Sequence, residues 1–197
     1  MKNKLLHLIV FWTCTLQAQE VISPVSPEEI VASTKENISA FDRTVKYFSD
    51  NQDHLAQELV TIFNDTNSSN LSRCEAAHFL GELKISKAAD SLSKEITLRL
   101  DASHLIITHL PSITATPAVD ALIKIGNPSI PAVIRNLAES DNAQVRKLSL
   151  NVLFHIDGDK DIVQLRLQKA LKAETDLQKQ VRLQSALKAL AEASFAD

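Results

Sequence analysis

The sequence is poor in glycine, cysteine and aromatic residues. Its 197 residues include three glycines, two cysteines, one tryptophan and one tyrosine, where an average chain of this length carries about fourteen glycines. Because the glycines stand apart at positions 81, 126 and 158, the chain cannot build the glycine-rich loops that bind dinucleotides or nucleotide phosphates, nor the glycine-flanked turn that presents a nucleophilic serine. The scarcity of turn glycines and aromatic residues also argues against a β-sandwich or a β-barrel.

The charge balance is mildly acidic. The chain carries 24 acidic and 21 basic residues, for a formal net charge of −3. Since nucleic-acid binding depends on clustered lysine and arginine, this balance predicts no nucleic-acid partner.

Residues 1–18 have the layout of a secretory signal peptide. Two lysines precede an apolar run over 5–16, which is shorter than the ~20 residues that a membrane-spanning helix needs. The run leads to a Leu-Gln-Ala cleavage site at Ala18. We therefore predict a periplasmic or secreted protein with no membrane span after cleavage; a short anchor or a buried first helix is the alternative. Cleavage leaves Cys74 as the single cysteine, so the fold must rest on packing without an internal disulfide.

Residues 19–69 are predicted to form an N-terminal helical segment that packs on the rest of the chain. Ser26 and Pro27 give a cap and a first helical position, and Glu29 has the spacing of a capping box. A polar, turn-rich loop over 65–70 closes the segment.

From residue 70 onward the sequence repeats itself. Arginines at 73, 146 and 182 are each followed by small or apolar residues four and seven positions later, and Ala115 takes the arginine's place in a fourth copy. These offsets lie on one helical face, and intervals of 31 to 42 residues are typical of stacked helical hairpins. We therefore predict an all-α protein with an α-solenoid over 70–197, whose repeats start near 72, 115, 145 and 181. The inward positions would be Ala77, Val119, Leu150 and Ala186 at the first offset, and Leu80, Leu122, Leu153 and Ala189 at the second.

Each of the first three repeats has a second segment with an apolar stripe, predicted as a helix. These helices would run from 86 to about 100, from 127 to 139, and from 159 to about 172. Gly126 and Gly158 stand where first helices should end. The apolar run within 101–114 leaves a lengthened second helix, a small extra helix and a loop all open.

The last predicted helix, over 175–195, is a half-repeat that closes the stack. One side is predicted to pack inward through Leu177, Val181 and Leu190. Capping boxes are predicted at two helix starts. They pair Ser72 with Glu75 and Thr175 with Gln178.

The repeat resembles the HEAT-like repeats of bacteria, including the short form of bilin-lyase-type proteins. The matching residues are Arg73, Ala76, Ala77, Leu80, Gly81 and Leu83, then Leu122, Ile125, Gly126, Pro128, Ile130, Pro131 and Val133, and then Val145, Arg146, Leu153 and Ile156. The resemblance implies a curved solenoid that serves as an interaction surface, with the second helices on its concave side. Ala115 and Phe154 depart from the pattern, and the last copy has no room for its second helix.

The polar residues of the second helices are therefore the candidate protein-binding face. They are Lys87, Ser91, Lys94 and Glu95, then Arg135 and Asn136, then Gln164, Gln168 and Lys169. For any single residue of this set, an ordinary solvated surface is the competing interpretation.

Two patterns suggest a chemical role. Cys74 and His78 share a helix face, as a nucleophile and its base would, yet no third orienting group accompanies them. A partly buried thiol beside a surface histidine, or a thiol that pairs with another chain, is the alternative. Asp157, Asp159 and Asp161 begin like a calcium loop. The pattern then fails, because Ile162 and Gln168 replace its glycine and closing glutamate.

Two further patterns carry less weight. His104 and His109 lack the spacing of a helical zinc pair, so no metal or other cofactor is predicted. Glycosylation sequons stand at Asn37, Asn64, Asn67 and Asn70, and matter only in a eukaryotic secretory pathway.

These observations together predict an exported, non-enzymatic scaffold that binds another protein, most plausibly in a bacterial periplasm. Two alternatives remain open. One is a helical-repeat enzyme of lyase type that uses Cys74 and His78, and the other is a DNA-binding HEAT-like protein, which the acidic balance and the signal peptide oppose.

Overall fold

The structure is a computed structural model that describes residues 52–100 and 114–192. In these two ranges all regular secondary structure is helical, which confirms the all-α class for this part of the chain. The predicted signal peptide, most of the segment 19–69, and residues 101–113 lie outside the described residues. Of the described residues, 56–100 and 114–192 belong to one compact unit, and the packing below is described within it.

The described residues form a series of α-helices. We name them α1 (Gln52–Asn64), α2 (Asn70–Glu82), α3 (Ala89–Lys94), α4 (Pro117–Ile125), α5 (Ile130–Glu139), α6 (Ala143–Asp157), α7 (Lys160–Ala173) and α8 (Leu177–Glu192). Short 3₁₀ turns, Ser86–Ala88 and Asn127–Ser129, lead into α3 and α5.

Helix α3 is shorter than predicted, since it ends at Lys94 and not near Leu100. The Leu98 N–H turns back to the Glu95 carbonyl, and the Leu100 N–H bonds to the Ala115 carbonyl just before α4. The backbone hydrogen bonds of this stretch therefore go to a turn and to a distant segment instead of to a helix.

Helix ends follow the local sequence, with two corrections. Gly126 and Gly158 have φ angles of 78° and 65°, so glycines do end α4 and α6 as predicted. The capping-box prediction at Ser72 is wrong, because Ser69 accepts the hydrogen bond from the Ser72 N–H at 3.1 Å and caps α2. The prediction at Thr175 fails in the same way.

Asp176, one residue after Thr175, is the residue that caps α8. Its carboxylate accepts the N–H groups of Gln178 and Lys179 at 2.8 and 3.1 Å. These backbone N–H bonds, led by that of Lys179, hold the pKa of Asp176 below its usual range. An aspartate at the helix start also suits the positive end of the helix dipole.

From α2 to α6, alternate helices of the chain pack on each other. Helix α2 packs on α4 and α4 packs on α6, while α3 packs on α4 and α5. Helix α5 packs on α6, which in turn contacts α7. At Gly81 the α2 backbone approaches α4 so closely that an added Cβ would lie 2.6 Å from the Ala121 Cα.

Most positions of the repeat register are buried. At the first offset Ala77, Val119, Leu150 and Ala186 are all buried, as predicted. At the second offset Leu80, Leu122 and Leu153 are fully buried, whereas Ala189 is exposed.

Helix α8 departs from the predicted orientation. Leu190 is buried, but Leu177 and Val181 are 76% and 59% exposed, so the prediction that they pack inward is wrong. Since an α-helix turns about 100° per residue, position 190 lies roughly 140° around the axis from position 177. Leu183, Ala186 and Leu190 form the buried stripe, and α8 packs mainly on α5 and α7, with fewer contacts to α6.

Candidate functional site

Several residues of the predicted binding face already have partners within the fold. Ser91 accepts a hydrogen bond from Asn64 at 3.2 Å. Glu95 pairs with the half-buried Arg73 at 3.2 Å, and Arg135 pairs with Asp90 at 3.1 Å. These side chains hold neighbouring helices together, which lowers their availability to a partner.

The rest of that face is more open. Lys87, Lys94, Gln164 and Lys169 are exposed, and Gln168 is half-buried. Asn136, which was predicted with them, donates to the Ser93 carbonyl at 2.7 Å and so ties α5 to α3. The second-helix face as a binding surface stays a prediction.

The repeated arginines have a structural role that the sequence pattern did not reveal. The Arg73 Nε donates to the Phe63 carbonyl at 2.8 Å, in the last turn of α1. Arg146 and Arg182 both reach the end of α5, where they donate to the carbonyls of Ser140 and Ala138 at 2.8 and 3.2 Å. The last carbonyls of a helix lack partners within it and form the negative end of its dipole, so each arginine completes a helix end.

A groove lies between α6 and α8, over the end of α5. Its volume is about 730 Å³, which is within the size range of binding pockets. The lining residues are Leu137, Ala143, Arg146, Lys147, Leu148, Leu150, Asn151, Arg182, Ser185, Ala186 and Ala189. A second, more open depression of about 590 Å³ shares Arg182 and extends along the start of α8 past Leu177, Gln178 and Val181, and Asp141 also lines it.

The groove combines an apolar floor with a basic wall. Leucines from α5 and α6 and alanines from α6 and α8 supply the floor. Arg182 is neutralised by the exposed carboxylate of Asp141. Arg146 is half-buried and Lys147 is exposed, and neither forms an ion pair with an acidic residue in the described ranges.

Most of the exposed large apolar side chains of the described residues belong to α7 and α8. In the described ranges Ile162 and Leu165 of α7 and Leu177 and Val181 of α8 are between 42% and 76% exposed, and Leu83 is the remaining case at 39%. Terminal repeats usually present a polar outer side. Exposed apolar side chains in these terminal helices are more typical of an interaction site than of an end cap.

The predicted nucleophile pair is closed to solvent. Cys74 is fully buried, with its thiol 3.9 Å from the Asn70 side-chain oxygen. His78 is 7% exposed, so the expectation of a surface histidine is wrong. Burial, reinforced by the positive charge of Lys124, lowers the pKa of His78 despite the nearby carboxylates of Glu82 and Asp120. A substrate or a second chain cannot reach the thiol unless the helices separate.

The aspartates of the calcium-like motif serve the fold. Both carboxylate oxygens of Asp157 accept hydrogen bonds from Arg166 at 2.8 to 3.0 Å, and Asp159 caps α7 by accepting the Asp161 N–H at 2.7 Å. Within 52–100 and 114–192, no group of three or more His, Cys, Asp or Glu side chains could hold a metal ion. His104 and His109 lie outside the described residues. In the same ranges, no helix has the length and apolar character of a membrane span.

The described residues therefore offer a built groove and no assembled catalytic constellation. Comparisons with protein-family models, with curated proteins and with solved structures found no match.

Proposed function

We propose that this chain is an exported, non-enzymatic scaffold that binds another protein, built as an α-solenoid of HEAT-like helical hairpins. The observation that carries the proposal is the groove between α6 and α8, whose apolar floor continues into exposed Leu177 and Val181. A surface of this kind is suited to a macromolecular partner, since isolated apolar side chains are common but connected ones are not.

The packing order supports the solenoid part of the proposal. First helices pack on first helices from α2 through α4 to α6, and the second helices α3 and α5 pack on each other. Each hairpin buries its apolar stripe against its neighbour, which is how helical repeats are stabilised. The terminal helix α8 lies against α5 and α7, and we propose that it ends the solenoid as a modified half-repeat.

Two features support a binding role over catalysis. The thiol and imidazole that could act as nucleophile and base are both buried in the α2 layer. The polar groups that line the groove are cations, a serine and an asparagine, without an acidic or imidazole group to move a proton.

The experiment is site-specific photo-crosslinking in the native host. A photoreactive residue at exposed Lys94 or Gln164 tests the second-helix face, and one at Ser185 tests the groove. The proposal expects discrete adducts with one partner protein from at least one of these sites. A photoreactive residue at exposed Glu58 on α1 is the matched control. Absence of any adduct, together with turnover of a small molecule that requires Cys74 and His78, would favour the lyase-type alternative.

Export has its own test. If residues 1–18 are a cleaved signal peptide, intact-mass measurement of the protein recovered from the periplasm or medium gives the mass of a chain that begins at Gln19. A cytoplasmic full-length chain would contradict the export part of the proposal and leave the binding part to be tested separately.

A further inference from the structure

We infer that the groove between α6 and α8 binds an acidic amphipathic helix of the partner protein, an inference that rests on the proposed binding function. The inferred ligand is a helix of about three turns, with leucine-like side chains along one face and glutamate or aspartate beside them. Such a helix-in-groove arrangement is a common way to recognise a partner segment.

The shape of the groove favours a helix. Along α8, the residues that line the groove and its extension run from Leu177 to Ala189, and twelve helical steps of about 1.5 Å give a trough about 18 Å long. Gln178, Arg182, Ser185 and Ala189 follow one another at steps of four, three and four, so one continuous face of α8 forms the wall.

The facing wall has the same periodicity. Ala143, Arg146 and Leu150 of α6 follow one another at steps of three and four, and Ala143 and Leu150 bring a small and an apolar side chain to the floor. Small residues leave room for the side chains of a docked helix, and the leucines supply apolar contact area. A helix of three turns would place its apolar stripe on this floor and along exposed Leu177 and Val181.

The charged side chains of the groove favour an acidic ligand, since the Asp141 carboxylate that lines the extension is paired with Arg182. Most half-buried arginines in the described ranges have a carboxylate partner: Arg73 has Glu95, Arg166 has Asp157 and Arg182 has Asp141. Arg146 has none, and the adjacent Lys147 adds a second cation to the same wall. In a chain with a net charge of −3, these two cations beside an apolar floor complement a ligand that is both acidic and apolar.

The test uses a fluorescent, N-acetylated peptide of about fifteen residues made of leucine, alanine and glutamate, with leucines at helical spacing. We expect saturable binding by fluorescence anisotropy with a Kd of about 1–100 µM. Binding should weaken as salt rises, because exposed charges are screened. A lysine version of the peptide and a scrambled version of equal composition should bind at least about tenfold more weakly.

Two variants of the protein locate the site without touching the Arg146 hydrogen bond that supports α5. K147E reverses the charge of an exposed side chain and should weaken binding about tenfold. S185W places a large ring on the exposed α8 wall and should weaken it by more than about tenfold. K172E, which makes the same charge change at an exposed position on α7 outside both the groove and the candidate second-helix face, should stay within about twofold. Circular dichroism and urea unfolding confirm that each variant is folded.

Several outcomes would overturn the inference. No saturable binding up to about 1 mM peptide would do so, as would equal binding by K147E and S185W. Binding to phosphatidylglycerol vesicles or to duplex DNA in place of the peptide, if it depends on Lys147, would also overturn the inference. Self-association of the protein in sedimentation, if S185W abolishes it, would do the same. If the peptide fails while the photo-crosslinked partner is still captured by S185W, the inference falls and the scaffold proposal stands. If the wild type yields no partner at all, the scaffold proposal itself fails.

Discussion

Gly81 lies where α2 and α4 approach each other most closely, and its missing side chain is what permits the contact. Alanine at this position would gain about 1 kcal/mol of helix propensity. Its Cβ would nevertheless lie 2.6 Å from the Ala121 Cα, which is backbone and cannot rotate away. We therefore expect G81A to lower the free energy of unfolding by about 1–3 kcal/mol in urea titration.

Gly158 supplies the matched comparison for that variant. Its φ is 65° and nothing lies within 4 Å of an added Cβ, so G158A isolates backbone strain, which costs about 1–2 kcal/mol. A G81A protein more stable than the wild type would contradict the close approach of α2 and α4.

His78 should make stability depend on pH. Its pKa in the folded chain lies below the ordinary 6.5, chiefly because burial disfavours the imidazolium and secondarily because Lys124 repels it. The unfolded chain therefore takes up the proton first as pH falls. The contribution of neutral His78 is fully present above about pH 6.5, and it is lost as pH falls through that value towards the folded pKa.

The measurement is urea unfolding of the wild type and H78Q between about pH 8 and pH 5. H78Q should lose less stability on acidification than the wild type, because its side chain cannot ionise. H155Q, which removes an exposed histidine from α6, is the control. If the free energy of unfolding changes equally with pH in the wild type and in H78Q, His78 is not the source of the pH dependence. The pKa of Glu82 is lowered by its hydrogen bond with Lys124, so Glu82 affects stability only at pH values below those of this measurement.

At the scale of helices, the repeated arginines hold one helix to the end of another. Arg73 donates to the Phe63 carbonyl and pairs with Glu95, while its guanidinium carbon lies 5.8 Å from the centre of the Phe63 ring. Lysine cannot reproduce the planar fork that makes both bonds. We expect R73K to lower the free energy of unfolding by about 1–3 kcal/mol.

Arg135 is the control for the same chemical change, because its ion pair with Asp90 is exposed on both sides. R135K should change stability by less than about 0.5 kcal/mol. If R73K and R135K lower the free energy of unfolding by similar amounts, the hydrogen bond from Arg73 to the Phe63 carbonyl contributes little to stability.

The orientation of α8 is tested by two truncations at neighbouring positions. Leu183 is 1% exposed, and L183A should cost about 2–5 kcal/mol through the cavity it leaves. Val181 is 59% exposed, and V181A should stay within about 0.5 kcal/mol. A larger loss of stability in V181A than in L183A would support the orientation predicted from the sequence. It would also contradict the wall that α8 forms in the groove.

At the scale of the whole molecule, Cys74 reports the opening of the packed unit. In the chain from residue 19 it is the single thiol, and it is fully buried. Reaction with Ellman's reagent should be at least about a hundredfold slower than in the urea-unfolded chain, because the thiol reacts only after the helices separate. Rapid reaction without denaturant would show that the α2 layer opens readily or that the thiol is not buried.

Sequence patterns alone predicted the helical class of the described residues, the helix ends at Gly126 and Gly158, and the inward face around Leu80, Leu122 and Leu153. These features depend on contacts within one or two turns, where the 3.6-residue period and the turn residues act directly. It missed the caps at Ser69 and Asp176, since several polar residues at each helix start could have served.

Three features could not be predicted from sequence patterns, because they depend on how the helices pack. They are the partners of the repeated arginines, the face that α8 buries and the groove beside that face. Arg146 and Arg182 stand 36 positions apart in the sequence, yet both reach the carbonyls at the end of α5. Leu177 and Val181 look like core residues in the sequence because apolar character does not specify which neighbour will cover them. Whether a side chain is buried, exposed or part of a binding wall depends on which helices lie beside it, and distant parts of the chain set that arrangement.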